Sequence, residues 1–129
     1  MPHILIDYSA NLEAHVDMSA FCETLRAEAA QIPALPMPGI RVRAIAADHY
    51  AIADGQAKHG YIDFSLRLRA GRSAEVKAAV IAQLFEAARG FLAPVMATRS
   101  IALSAELREI DAELAPKCGT IRDHLEGVS

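Results

Sequence analysis

Apolar and polar residues alternate with a period of two in four short segments, and between them two longer stretches carry apolar residues at helical spacing. Ile4, Ile6 and Tyr8 alternate with His3, Leu5 and Asp7, which predicts a first strand closed by the turn material Ser9, Ala10 and Asn11. From Asp17 the period changes. Met18, Phe21, Cys22, Leu25, Ala29 and Ile32 fall on one helical stripe, with Asp17 placed to cap the helix and Pro33 to stop it. The cluster Pro33, Pro36, Pro38 and Gly39 reads as a loop, after which Ile40, Val42 and Ala44 alternate with Arg41, Arg43 and Ile45 as a second strand.

A turn at Asp54-Gly55 restarts the order. Ile62, Phe64, Leu66 and Leu68 alternate with Tyr61, Asp63, Ser65, Arg67 and Arg69, the clearest strand pattern in the chain. Ser73 then caps a long helix whose stripe is Val76, Val80, Ile81, Leu84, Phe85, Ala88, Phe91 and Leu92, with its end expected at Pro94. Ile101, Leu103, Ala105 and Leu107 alternate with Ser100, Ala102, Ser104, Glu106 and Arg108 as a fourth strand, and a short helix is expected around Ile121 to Leu125.

These elements repeat as strand, long helix, strand in two halves, about 1–57 and 58–129, within one domain of the α/β class. A strand, crossover helix and strand in one sheet form a right-handed parallel unit. Two such units predict a four-stranded sheet with both helices on one face. The uncovered face hints at an oligomer, although the polar side of the third strand weakens that hint.

Composition narrows the function. With 53% hydrophobic and 22% charged residues in 129, the chain has material for a core and is not of the disordered class. A net charge of −3, aromatics at 5% and the absence of a Lys/Arg run argue against a nucleic-acid partner. No wholly apolar run approaches the ~20 residues of a membrane span, and Met1-Pro2-His3 does not begin a signal peptide, so a cytoplasmic protein with no membrane partner is expected. Cys22 and Cys118 read as free thiols. The histidines fall in five separate segments, and neither a metal site nor a familiar catalytic motif stands out.

Three features call for chemistry. Removal of Met1 would leave Pro2 with a free secondary amine, a base on a rigid ring in the range that proton transfer at neutral pH requires; alternatively, Pro2 only opens a strand. Gly71-Arg72-Ser73 places a guanidinium at a helix N-terminus, where a carboxylate or phosphate ligand would reverse an unfavourable charge–dipole term; alternatively, the arginine reaches away into solvent. Arg41 and Arg43 share one face of the second strand, which suits an anion or a solvated sheet face equally.

Met1-Pro2-His3, Tyr8-Ser9 with Asn11-Leu12, Gly39-Ile40-Arg41-Val42-Arg43, Ala53-Asp54-Gly55, Gly71-Arg72, Leu103 with Glu106, and Thr120-Ile121 together resemble the 5-carboxymethyl-2-hydroxymuconate Δ-isomerases of the tautomerase superfamily. The resemblance spans the chain in order. It implies a homotrimer of doubled βαβ subunits and a small di- or tricarboxylate substrate from the catabolism of aromatic compounds. It also implies a 1,3-proton shift with no metal and no cofactor. Carried over to this chain, Pro2 is the general base, Arg41 steadies the developing enolate, and Arg72 grips a distal carboxylate. The second unit begins inside the chain and cannot supply a terminal amine, so one site per subunit is expected. Asp7 and Cys118-Gly119 depart from the family pattern, at positions expected to lie outside the site. Two further readings fit the same residues: an oligomeric module that binds an acidic metabolite without catalysis, and a Pro2-dependent enzyme of the superfamily with another substrate.

Overall fold

In the computed structural model, which describes residues 1–126, four strands form one mixed sheet in the order β2-β1-β3-β4. They are β1 (His3–Ser9), β2 (Arg41–Ala47), β3 (His59–Arg69) and β4 (Ser100–Ile110), with α1 (Met18–Ala30) and α2 (Ala74–Met96) as crossovers. Each half is a parallel βαβ unit, and the halves meet through the antiparallel pair β1–β3. The repeat offset is 56 residues at the first strand (His3 against His59) and at the helix (Met18 against Ala74), and 59 at the second strand (Arg41 against Ser100). Residues 127–129 of the expected second half lie outside the described residues.

One apolar cluster joins the two halves. The inward residues of the central strands, Ile4, Ile6, Ile62, Phe64 and Leu66, are fully buried. Against them pack Phe21, Leu25 and Ala29 of α1 and Val80, Leu84, Ala88 and Leu92 of α2, so the period-two and period-3.6 stripes meet in one layer. By length and composition α2 could cross a membrane (mean hydropathy 1.3), and its Val80 to Leu92 stripe packs on the sheet. Gly60 is required for this packing: a Cβ there would stand 2.7 Å from Leu12 Cδ2, so Leu12 could not seat over the end of β3.

Both N-caps form as expected, Asp17 Oδ1 accepting from Ala20 N and Ser73 Oγ accepting from Val76 N. Pro94 does not end α2, which continues to Met96. A proline near the last turn removes one amide bond, and the turn closes through Ala97 N to Ala93 O and Arg99 N to Val95 O. The expected C-terminal helix is a 3₁₀ turn, Ile121–His124. Val76, assigned to the apolar stripe of α2, is exposed in the first turn, beyond the reach of the sheet.

The face away from the helices is graded in charge. Register aligns Arg41, His3, Arg67 and Arg108 across all four strands, while Asp7 and Asp63 lie side by side further along. Tyr61 Oη donates to Asp7 Oδ1 at 2.8 Å and Ser104 Oγ to Asp63 Oδ1 at 2.7 Å, which settles the acidic end. The basic end is where the chain begins.

Candidate active site

Pro2 is fully buried and is joined to β2 by the backbone, Arg41 N donating to Pro2 O at 3.1 Å. This bond extends the β1–β2 ladder by one rung and sets the ring beside Arg41. Gly39 packs on the other side, where a Cβ would meet Pro2 Cδ at 3.2 Å and Met1 Cα at 3.4 Å. The loop of Pro33, Pro36, Pro38 and Gly39 therefore presents a side-chain-free wall to the proline.

Arg41 points into the same space. Its Nη1 donates to Met1 Sδ at 3.4 Å and lies 3.3 Å from His3 Nε2. Because a guanidinium can only donate, His3 Nε2 must accept, which places the imidazole proton on Nδ1, a buried atom without a partner among the described residues. Burial first, and then Arg67, Arg41 and Arg43, hold the His3 pKa below its ordinary value.

A pocket of about 250 Å³ opens beside Met1, Gly39 and Arg41 and is completed by Lys117, Ile121 and Arg122 from the C-terminal arm. Cys118 and Gly119 also line it, so the segment expected to lie outside the site forms one of its walls. Among the described residues, no aspartate or glutamate lines it. The terminal amine of Met1 is held below its usual pKa by burial and then by Lys117, Arg72, Arg69 and Arg41, in that order. A cationic rim thus surrounds the position where a terminal base would sit.

Arg72 does not line this pocket and is held differently from expectation. Nε and Nη2 both donate to Ala34 O, at 3.0 and 2.7 Å, and Nη1 donates to Arg69 O at 3.1 Å. Gly71, at φ +128, allows the chain to turn so that Arg72 reaches back to those carbonyls rather than standing at the α2 terminus. Three of its five N–H donors tie the proline-rich loop to the end of β3, and two remain. Arg43 is exposed on β2 opposite Leu5 and lines neither this pocket nor the next. Lys117 and Arg122 carried no signal in a single sequence, because isolated cations in a polar tail have no periodicity to mark them.

A larger pocket of about 410 Å³ lies at the other end of the sheet, lined by the β2–β3 connection. There His59 bridges Ser100 Oγ and Asp54 Oδ1, each at 2.7 Å, at the positions that correspond in the second half to His3 and Arg41. The two halves are alike in backbone and opposite in charge at this corner.

A doubled βαβ sheet of this topology is the fold of the tautomerase superfamily. Residues 2–125 match the profile of the 5-carboxymethyl-2-hydroxymuconate isomerase family. The chain is 31% identical over 114 residues to a 5-carboxymethyl-2-hydroxymuconate Δ-isomerase of Escherichia coli, covering 88% of this chain and 90% of that one. A crystal structure of a 5-carboxymethyl-2-hydroxymuconate Δ-isomerase superposes with a TM-score of 0.89 at 32% identity, over 96% of this chain and 92% of the other. A fused 4-OT protein solved as a symmetric trimer shares the fold, with a TM-score of 0.65 at 22% identity over 86% and 88% of the two chains. The chain belongs to the 5-carboxymethyl-2-hydroxymuconate isomerase family, and it is an isomerase.

Proposed function

We propose that the chain isomerises 5-carboxymethyl-2-hydroxymuconate or a close analogue in the cytoplasm, with the Pro2 amine as general base once Met1 is removed. The observation that carries this reading is the placement of Pro2. It is buried against Gly39, bonded through its carbonyl to Arg41, and directly follows Met1, which with Arg41, Lys117 and Arg122 lines a pocket free of acidic residues among the described residues. Met1 occupies the space that substrate would take, its sulfur accepting the Arg41 donor.

In this mechanism neutral Pro2 removes the proton of the 2-hydroxyl, and the ammonium so formed returns a proton to a carbon of the conjugated chain. One O–H bond is lost and one C–H bond is formed. Burial and neighbouring cations favour the neutral amine, as they do for the Met1 amine in this structure, whose pKa they lower. Arg41, freed from Met1, faces the developing enolate oxygen and lowers its energy in a pocket partly shielded from water. Arg72 contributes its two remaining N–H groups to a carboxylate and holds the loop that carries Gly39. The assembly we propose is a homotrimer, in keeping with the fused 4-OT trimer of the same fold.

The test combines intact mass with an ultraviolet assay of ketonisation. A mass one methionine short, with turnover that falls about 100- to 10,000-fold in Pro2→Ala, is the expected result. Retained Met1 with no turnover would favour a carboxylate-binding module, and turnover with Met1 attached would assign the base to another residue.

A further inference from the structure

We propose that the C-terminal arm is the specificity element of this site: Lys117, seconded by Arg122, holds the third carboxylate that separates a tricarboxylate from a dicarboxylate substrate. The inference rests on the isomerase reading above and names what that site selects.

The arm leaves the sheet after β4 and returns to the start of the chain. Ile121 and Leu125 seat it, lining an apolar groove with Met37, Pro38 and Ile40 of the loop that also carries Gly39. That seating brings Lys117 and Arg122 to the pocket beside Met1 and Arg41. Among the described residues none of these three cations is in an ion pair with a carboxylate. Four cations elsewhere, Arg26, Lys77, Arg89 and Arg108, do have carboxylate partners. Three unpaired cations drawn around one small cavity repel one another, and a ligand with several anionic groups reverses that energy.

The roles divide by position. Arg41 projects from β2 next to Pro2, so it serves the reacting end. Arg72 is held by two carbonyls on the body of the subunit. Lys117 and Arg122 enter from the opposite wall, on a segment that belongs to neither βαβ unit. In 5-carboxymethyl-2-hydroxymuconate the extra carboxylate branches from C5, beside the distal carboxylate; with Arg41 and Arg72 engaged at the two ends, Lys117 and Arg122 are left to meet it, whereas a linear diacid has no such group. Lys117 is also the foremost charge acting on the Met1 amine, ahead of Arg72, Arg69 and Arg41.

The experiment compares wild type, Lys117→Gln and Lys117→Arg with 5-carboxymethyl-2-hydroxymuconate and with 2-hydroxymuconate, which lacks the branch. Lys117→Gln is expected to raise KM for the tricarboxylate about 10- to 100-fold, to leave KM for the dicarboxylate unchanged, and to be largely rescued by Lys117→Arg. The acid limb of kcat/KM should also move to higher pH in Lys117→Gln, because a cation near the amine is gone. Equal rises in KM for both substrates, or a rise for neither, would overturn the proposal and leave the isomerase reading standing. Should wild type turn over neither compound, the isomerase reading fails, and calorimetry with propane-1,2,3-tricarboxylate against glutarate decides the arm separately. A preference for the tricarboxylate that disappears in Lys117→Gln supports the arm, and its absence in wild type refutes it.

Discussion

Gly39 and Pro2 are in such close apposition that a single added Cβ at position 39 would lie 3.2 Å from the proline Cδ. The glycine is needed for space. The neighbour that would have to yield is a ring anchored by its own carbonyl to Arg41 N, so it cannot swing aside as a long side chain would. Gly39→Ala is therefore expected to displace the proposed base by a few tenths of an ångström. Steady-state kinetics should show kcat/KM down about 10-fold or more with thermal stability nearly unchanged, since positioning errors well below 1 Å are expensive in rate and cheap in folding. Wild-type kinetics in this variant would show that the base is not at Pro2.

The two arginines should separate in a way that spacing alone did not foresee. Among the described residues the Arg41 guanidinium bonds Met1 and His3 and no backbone carbonyl, so Arg41→Ala is expected to lower kcat about 100-fold with little effect on melting temperature. Arg72→Ala removes three hydrogen bonds to backbone carbonyls, and it should both raise KM and destabilise the fold by about 1–3 kcal/mol. Kinetics and thermal melts on the two variants check both halves of this statement. Unchanged stability in Arg72→Ala would assign Arg72 to substrate alone.

His3 should make the fold sensitive to mild acid. In the unfolded chain it takes up a proton near its ordinary pKa of 6.5, whereas in the fold burial and Arg67, Arg41 and Arg43 hold that pKa lower. Between the two values the unfolded state binds more protons, so stability falls as pH drops below about 6.5 and levels off once folded His3 is charged. Melting temperature against pH should decline through this window in the wild type and stay flatter in His3→Asn. Identical slopes would mean that His3 charges freely in the fold.

Most of the fold was legible in a single chain because its signals are local. Asp17 and Ser73 cap their helices through hydrogen bonds that reach three residues, and the alternation at Ile62 to Leu68 records one buried face. Pro94 misled for the same reason. A helix end is expected at a proline, yet in the last turn the lost amide bond is cheap, and packing by Val95 and Met96 carries α2 two residues further. Pro2, Arg41 and Arg72 were visible as residues out of place in their local elements: a proline at a strand start, a repeated arginine on a strand face, a cation at a helix N-terminus.

The amino-acid sequence by itself determined the four strands, the two helices, their doubling into βαβ halves and the residues that make the N-terminal corner chemical. Those outcomes depend on periods of two and 3.6 and on caps a few residues long. Only the tertiary structure decided that the halves join antiparallel through β1 and β3, that Arg72 faces Ala34 and Arg69, and that Lys117 and Arg122 reach the pocket beside Met1. The most distant of those partners, Met1 and Arg122, are 121 residues apart in the chain. Nothing local encodes such a meeting; it follows from burying both helical stripes on one sheet, which brings the tail of the chain back to its beginning.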